Sequence, residues 1–293
     1  MYTYLKIITL VCLSISISVK ANIHTIGTWN MKWLGTTSGS QLDSVENVPH
    51  YASIIIKTEA TILALQEIGA THKIQGEAKC YYLDLIVLEL NKKTQKKWDY
   101  KLDLKNRNQR LAFLYQTEKW DVTAKTIWPG KSYRSARRPF VANVKHMTSE
   151  FDFNFVNVHF KAFPDEKSRS KRANNIIELK RWISENNLNN ETIIGGDTNI
   201  YSNEASIDLP LTTNGYFHAN DNEGTAIYKG KINNRFDRFY LSVGTKDEIN
   251  RTTETLGSKD VVDVIKHDEE SVEWYNNNIS DHYPVTIKIQ PFL

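Results

Sequence analysis

The 293-residue sequence predicts a four-layer α/β/β/α sandwich: two mixed β-sheets packed face to face, with helices on both outer faces. Three observations point there. Short apolar or alternating runs recur along the chain in pairs, with about three stretches of helical periodicity between them. No repeat, Pro- or Ser-rich linker or long charge block marks a boundary, so residues 22–293 read as one domain. The polar residues that stand out mostly sit at strand ends, where such folds place their sites.

In chain order, the segment MYTYLKIITLVCLSISISVKA has one lysine near its start, an apolar run from Ile7 to Val19 and small residues three and one before a break after Ala21. It reads as a signal peptide, residues 1–21, removed on export to the periplasm or medium. The run is too short to favour a membrane span. An uncleaved anchor or a buried first helix is the alternative. Val11 before Cys12 argues against a lipid anchor. Removal would leave Cys80 as the only cysteine, within a helical pattern, so core packing rather than a disulfide must hold the fold.

IHTIGTW (23–29) alternates as a strand. Residues 43–58 carry Val48, Tyr51, Ala52, Ile55 and Ile56 at helical spacing. TILALQ (61–66) is a short apolar strand, and AKCYYLDLIVLELNK (78–92) a helix. WDYKLDL, RLAFLY, FVANVK and FDFNFVNVHF follow as strands. SRSKRANNIIELKRWISENN (168–187) is a second long helix, with an apolar face of Ile176, Ile177, Leu179, Trp182 and Ile183. TIIGG, FDRFYLS (236–242) and PVTIKIQ (284–290) close the list of strands.

Composition excludes some classes. With 40% hydrophobic and 11% aromatic residues the chain can bury a core and is not disordered. A net charge of +3 and a pI near 8.6 are too weak to imply nucleic acid by themselves. No Cys/His spacing suits structural zinc.

Asn30 ends the first strand and Glu67 follows LALQ. His159 lies in FVNVHF. Asp197 and Asn199 follow the double glycine of TIIGG, Asp237 interrupts an apolar strand, and Asp281 and His282 precede the last one. Singly, each fits a turn, a cap or a core histidine. Together they are most economically one cleft. Glu67, with Asn30 and Asp281, offers hard oxygen ligands for Mg²⁺, with Ca²⁺ or Mn²⁺ as alternatives. Histidines with acidic partners suit acid–base work or phosphate contact. An acid and an amide two residues apart can orient a water and steady a phosphoryl oxygen. The parts imply metal-dependent hydrolysis of a phosphoester.

The ordered set TWNMKWLG, ILALQEI, NVHFKA, IIGGDTN, FDRFYLS and SDHYPV resembles the endonuclease/exonuclease/phosphatase (deoxyribonuclease I-like) superfamily, from Thr28 to Val285. The resemblance implies the same four-layer fold. It makes Asn30 and Glu67 the metal-side pair and Asp281 a metal- or water-binding acid. His159 becomes the histidine that contacts the scissile phosphate and protonates the leaving oxygen. Asp197 becomes the acid that activates water, Asn199 the phosphate-holding amide, and Asp237 the partner of the second histidine, His282. Arg137 in SARRPFVANV resembles an arginine that meets the substrate phosphate. A solvated basic pair with Arg138 is its ordinary reading. Arg110 likewise resembles a substrate-side feature. The deoxyribonuclease group places a glutamate just before that arginine, paired with the first histidine; here the residue is Gln109.

The implied activity is that of a secreted or periplasmic DNase of endonuclease type, acting on DNA as a monomer without a stable protein partner. Lys/Arg clusters at 105–110, 131–138 and 167–172 fit DNA phosphates or a solvated surface equally. A sphingomyelinase-type lipid phosphodiesterase is the alternative; it should carry an exposed aromatic hairpin, for which WYNNN (274–278) is the nearest stretch. A toxin-type nuclease subunit and a binding module without catalysis are further readings. Basic loops beside the cleft would favour DNA, and exposed aromatics a lipid.

Overall fold

Strand β2 (Ile62–Ile68) shows why two sheets form. Ile62 and Ala64 face one apolar core while Leu63 and Leu65 face another. A strand buried on both faces must be apolar throughout. In the computed structural model, the described residues are 23–35, 45–69, 72–74, 77–106, 109–133, 137–188, 191–204, 206–213, 215–218, 224–229, 231–252 and 272–291. The expected signal peptide lies outside them, as do parts of the first two basic clusters.

The remaining elements run β1 (His24–Leu34), α1 (Val48–Lys57), β3 (His72–Ile74), β4 (Glu77–Lys79), α2 (Tyr81–Thr94), β5 (Trp98–Leu102), β6 (Arg110–Gln116), β7 (Trp120–Thr126), β8 (Phe140–His146) and β9 (Asp152–His159). Then come α3 (Glu166–Glu185), β10 (Thr192–Asp197), α4 (Leu209–Thr212), β11 (Tyr216–His218), β12 (Ile227–Tyr228), β13 (Lys231–Ile232), β14 (Asp237–Ser242), α5 (Val243–Glu248), β15 (Ile249–Thr252), α6 (Val272–Asn278) and β16 (Val285–Pro291). One six-stranded sheet has the order β15-β16-β1-β2-β6-β5, the other β11-β14-β10-β9-β8-β7. Both are mixed, with parallel pairs β1/β2 and β9/β10. Helices α1, α2 and α6 cover the first sheet and α3 and α4 the second. The expected four-layer sandwich is the fold observed.

Phe113, Phe140, Phe155 and Phe239, with Ile26 and Ile193, fill the space between the sheets. Toward the site this dry interface turns polar. Gln66 Nε2 donates to Asn157 Oδ1 across the sheets at 2.9 Å. Asn157 Nδ2 in turn donates to the carbonyls of Leu65 and Ala112, both at 2.9 Å. Such a pairing satisfies buried amides and fixes how one sheet sits on the other.

Three details depart from the sequence reading. Helix α3 buries Ile176, Leu179 and Ile183, but Ile177 lies half in solvent. It starts at Glu166 because Asp165 caps it, accepting from Ser168 N. WYNNN is no hairpin: it belongs to α6, and Tyr275 is buried, donating to His282 O. Cys80 is buried as expected, but it is the extended N-cap of α2, which begins at Tyr81 and not at 78, where β4 runs instead.

Candidate active site

The register of the second sheet gathers much of the site. Asp197 at the end of β10 is paired with His159 on β9 and with Asp237 on β14. Three polar side chains thus end three adjacent strands. The glycines before Asp197 make this close packing feasible. A Cβ on Gly196 would lie 2.0 Å from Val158 O, and one on Gly195 would meet the Phe239 ring at 2.7 Å. The first sheet contributes through irregularity. β2 breaks register with β6 between Leu65 and Ile68, and Glu67 in that bulge has φ +60°. Bulges re-aim side chains, and this one turns Glu67 into the cleft. Asn199 and Arg137 also take positive φ, +50° and +62°. Strain of this kind persists where neighbours over-determine it.

His282 Nδ1 lies 2.8 Å from Asp237 Oδ2, which also accepts from Thr225 Oγ1 at 2.6 Å. Both Asp197 oxygens are engaged: Oδ1 accepts from Asn199 N and Oδ2 from Asn30 Nδ2, each at 2.9 Å. The same Oδ2 stands 3.5 Å from His159 Nε2 and 3.9 Å from His282 Nε2. His159 Nε2 is also 3.5 Å from Glu67 Oε1. Its Nδ1 is buried without a partner among the described residues, so the proton belongs on Nε2, between the two carboxylates.

The electrostatics split the two histidines. Burial, with Arg137, His282 and Lys161 nearby, holds His159 well below the usual imidazole range, so it is neutral. Burial acts the same way on His282. There the carboxylates of Asp237 and Asp197, with Asp281 beyond, outweigh it and raise the group well above 6.5, so it is cationic. Burial pushes Asp197 up to about 6, against the pull of His282 and with the push of Asp237. Burial and then Asp281 push Glu67 up to about 7.

That last pair bears on a metal. Glu67 and Asp281 are oxygen donors that line the same cleft and repel each other. A hard divalent cation fits such a donor set. Asp197, Asp237 and His282 also cluster, with donor atoms within 4.8 Å of one another. Their hydrogen bonds explain that cluster without a metal, since His282 Nδ1 is already taken by Asp237.

The cleft has a volume of about 640 Å³, and Glu67, His159, Asp197, Asn199, Asp281 and His282 line it. Asn30 supports it from behind. Its Oδ1 accepts from Lys32 N, so its amide N–H faces Asp197 and acts on that acid, in place of an oxygen offered beside Glu67. Arg137 is half-buried and donates through Nη1 to Phe160 O and through Nε to Gln109 Oε1. Arg110 does not reach the cleft. Along β6 it alternates with Leu111, on the side of Ala112 and Leu114 that faces α2, with Asp103 bearing on it. Gln109, singled out as standing where the family pairs a glutamate with the first histidine, instead bridges Arg137 and Glu67 Oε1 (3.4 Å) and bonds to neither nitrogen of His159. Arg172, counted among surface charges, is wholly buried and paired with Glu204.

No protein-family model and no curated protein matches the sequence. Solved structures do match. An endonuclease/exonuclease/phosphatase from Bacteroides vulgatus aligns with 92% of this chain and all of its own, at 16% identity and TM-score 0.65. TDP2 of D. rerio, complexed with a single-strand DNA product, aligns over 92% of this chain and 99% of its own, at 14% identity and TM-score 0.61. A mannosyl-6-phosphatase from Bacteroides thetaiotaomicron aligns over 91% and 99%, at 16% identity and TM-score 0.57. The fold is the one the motif resemblance implies.

Proposed function

We propose that the chain is a divalent-metal-dependent phosphodiester hydrolase and that DNA is its substrate. One observation carries the reading: a cationic histidine, His282, and an acid with a value near 6, Asp197, meet in one cleft. A group titrating near the working pH is what a general base needs. Asp197, aimed by Asn30 and by its own turn, takes the proton of the attacking water. His282, held charged by Asp237, and the Asn199 amide face the phosphoryl oxygens as negative charge develops. Neutral His159, with its N–H between Glu67 and Asp197, donates a hydrogen bond to the phosphate and has no proton to give the leaving oxygen, the role the resemblance implies for it. As water's oxygen bonds to phosphorus the P–O bond to the leaving oxygen breaks, and that oxygen takes its proton from solvent. Glu67 and Asp281 hold Mg²⁺, with Mn²⁺ or Ca²⁺ as alternatives, and the bound cation supplies Lewis-acid polarisation of a phosphoryl oxygen.

Similarity to TDP2, solved with a single-strand DNA product, favours nucleic acid, while the mannosyl-6-phosphatase shows that the same fold also accepts a monoester. Residues 1–21 act as an export signal in this reading. The test is digestion of supercoiled plasmid by residues 22–293 with Mg²⁺, Mn²⁺, Mg²⁺ plus Ca²⁺, or EDTA, beside Asp197→Asn. Metal-dependent nicking that Asp197→Asn abolishes is expected. Intact plasmid under every condition would overturn the DNA reading.

A further inference from the structure

Large apolar side chains left in solvent usually lie scattered. Here the most exposed among the described residues are Leu88 and Tyr228 at 63% and Phe163 at 61%, and two of these three rings and chains line the catalytic cleft. Each aromatic is accompanied by an ammonium: Lys161 Nζ lies 4.7 Å from the Phe163 ring centroid, and Lys229 Nζ 5.2 Å from that of Tyr228.

Both residues are anchored through backbone contacts. Phe163 has φ +83°, an outlier for a bulky residue. Buried Arg172 enforces it: Nη1 donates to the carbonyls of Lys161 (2.7 Å) and Phe163 (2.8 Å), while Nη2 is fixed by Glu204 at 2.5 and 2.7 Å. Tyr228 stands on the β12–β13 hairpin, whose base is tied to the catalytic segment. Ile227 N donates to Asp281 O at 2.7 Å, and Ala226 bridges to His282. Strained backbone, clamped so that an apolar ring stays wet at a catalytic rim, is a binding feature.

We infer that Phe163 and Tyr228 are stacking platforms for unpaired bases of a nucleic-acid strand whose scissile phosphate lies at His282. This rests on the nuclease reading and narrows it. Aromatic faces bind bases regardless of sequence, and the adjacent lysines suit the flanking phosphates. A duplexed base has both faces covered by its neighbours and offers neither ring a surface, so the enzyme prefers single-stranded or frayed substrate. Exposed aromatics beside the cleft are also what a lipid phosphodiesterase is expected to carry, and lysines beside them can reach headgroups. Here each ring comes with the basic partner expected for DNA, so a nucleic-acid strand is the occupant inferred, and vesicles form one arm of the test.

The test is a cycle of enzyme against substrate. kcat/KM is measured for wild type, Phe163→Ala, Tyr228→Ala and the aromatic replacements Phe163→Tyr and Tyr228→Phe. The substrates are a single-stranded oligonucleotide, the same strand in a duplex, and strands with abasic nucleotides beside the cleaved bond. The expected results are preference for the single strand, a loss of roughly 5- to 150-fold for each alanine variant and retention by the aromatic replacements. Ring and base deletions should be non-additive, each removing the same contact. Additive losses, or equal rates on duplex and single strand, would overturn the inference while leaving the nuclease standing. Failure of wild type to cut any oligonucleotide would overturn both. Ring-dependent hydrolysis of sphingomyelin vesicles, with oligonucleotide cleavage unaffected by the rings, would assign the platforms to a membrane.

Discussion

Replacing Asp237 with Asn tests the centre of the proposed chemistry. Two unit charges 2.8 Å apart attract by about 6 kcal/mol at an effective dielectric near 20, and burial of His282 opposes this. An asparagine oxygen in the place of Oδ2 can still accept from Thr225 Oγ1 and His282 Nδ1, so these contacts survive without the charge, while the amide NH₂ takes the place of buried Oδ1. His282 is then left with burial and the more distant Asp197, at 3.9 Å, with Asp281 beyond, and loses its proton at working pH. A site that loses one preorganised charge against the transition state should lose about 10²–10³-fold in kcat/KM, or ~3–4 kcal/mol. The pH profile carries the sign. Activity that needs cationic His282 falls as pH rises through its value, which lies well above 6.5 in the native protein. In the variant that alkaline limb shifts to lower pH. The assay is kcat/KM from pH 5 to 9 on an oligonucleotide, with unfolding curves to verify the fold. A variant within threefold of wild type and with the same alkaline limb would refute the reasoning.

Glu67→Gln should weaken Mg²⁺ or Mn²⁺ binding at least tenfold by calorimetry. In wild type, cation at a hundred times its Kd should add about 2.7 kcal/mol of stability and raise Tm by a few degrees, a gain that EDTA removes. No EDTA-sensitive shift in wild type would refute the assigned ligands. Far from the cleft, burial lowers His24 from 6.5 to about 4; its ring packs between Trp120, His146 and Phe151, and neither ring nitrogen has a partner among the described residues. The unfolded chain therefore takes the proton first, and stability intact above pH 6.5 declines between there and about 4, by on the order of 2–3 kcal/mol after allowance for solvent screening. His24→Phe should flatten that decline in urea titrations across this range; parallel curves would show that His24 is not its source.

What could be read from the chain alone follows from locality. The strands and long helices announce themselves by periods of two and 3.6. The side chains that gather at the cleft are legible because polar residues at the ends of buried strands are conspicuous. Arg110 is not among the residues that line the cleft, and the signal lay beside it: Leu111 and Phe113 face the sheet interface, so Arg110 faces the helices. β7 escaped notice although Trp120 and Val122 alternate with exposed Asp121 and Thr123, the period-two signal of a half-buried strand. The contacts of Gln109 and the burial of Arg172 were illegible because they depend on distant partners. Arg137 lies 28 positions beyond Gln109, and Glu204 lies 32 beyond Arg172. Nothing local separates a buried, paired arginine from its solvated neighbours.

The polar contacts between the sheets have a further consequence. Asn30 belongs to one sheet and Asp197 to the other, and their 2.9 Å contact forms only at one alignment of the two. Gln66 and Asn157 hold that alignment from within the interface. The apolar contacts between phenylalanines would tolerate a small slide of one sheet on the other. The amides and the proposed catalytic acid would not. If Asp197 acts as proposed, turnover is a gauge of how the two halves are docked, and a protein that kept every strand but lost this alignment would look folded by its secondary structure and yet be chemically silent.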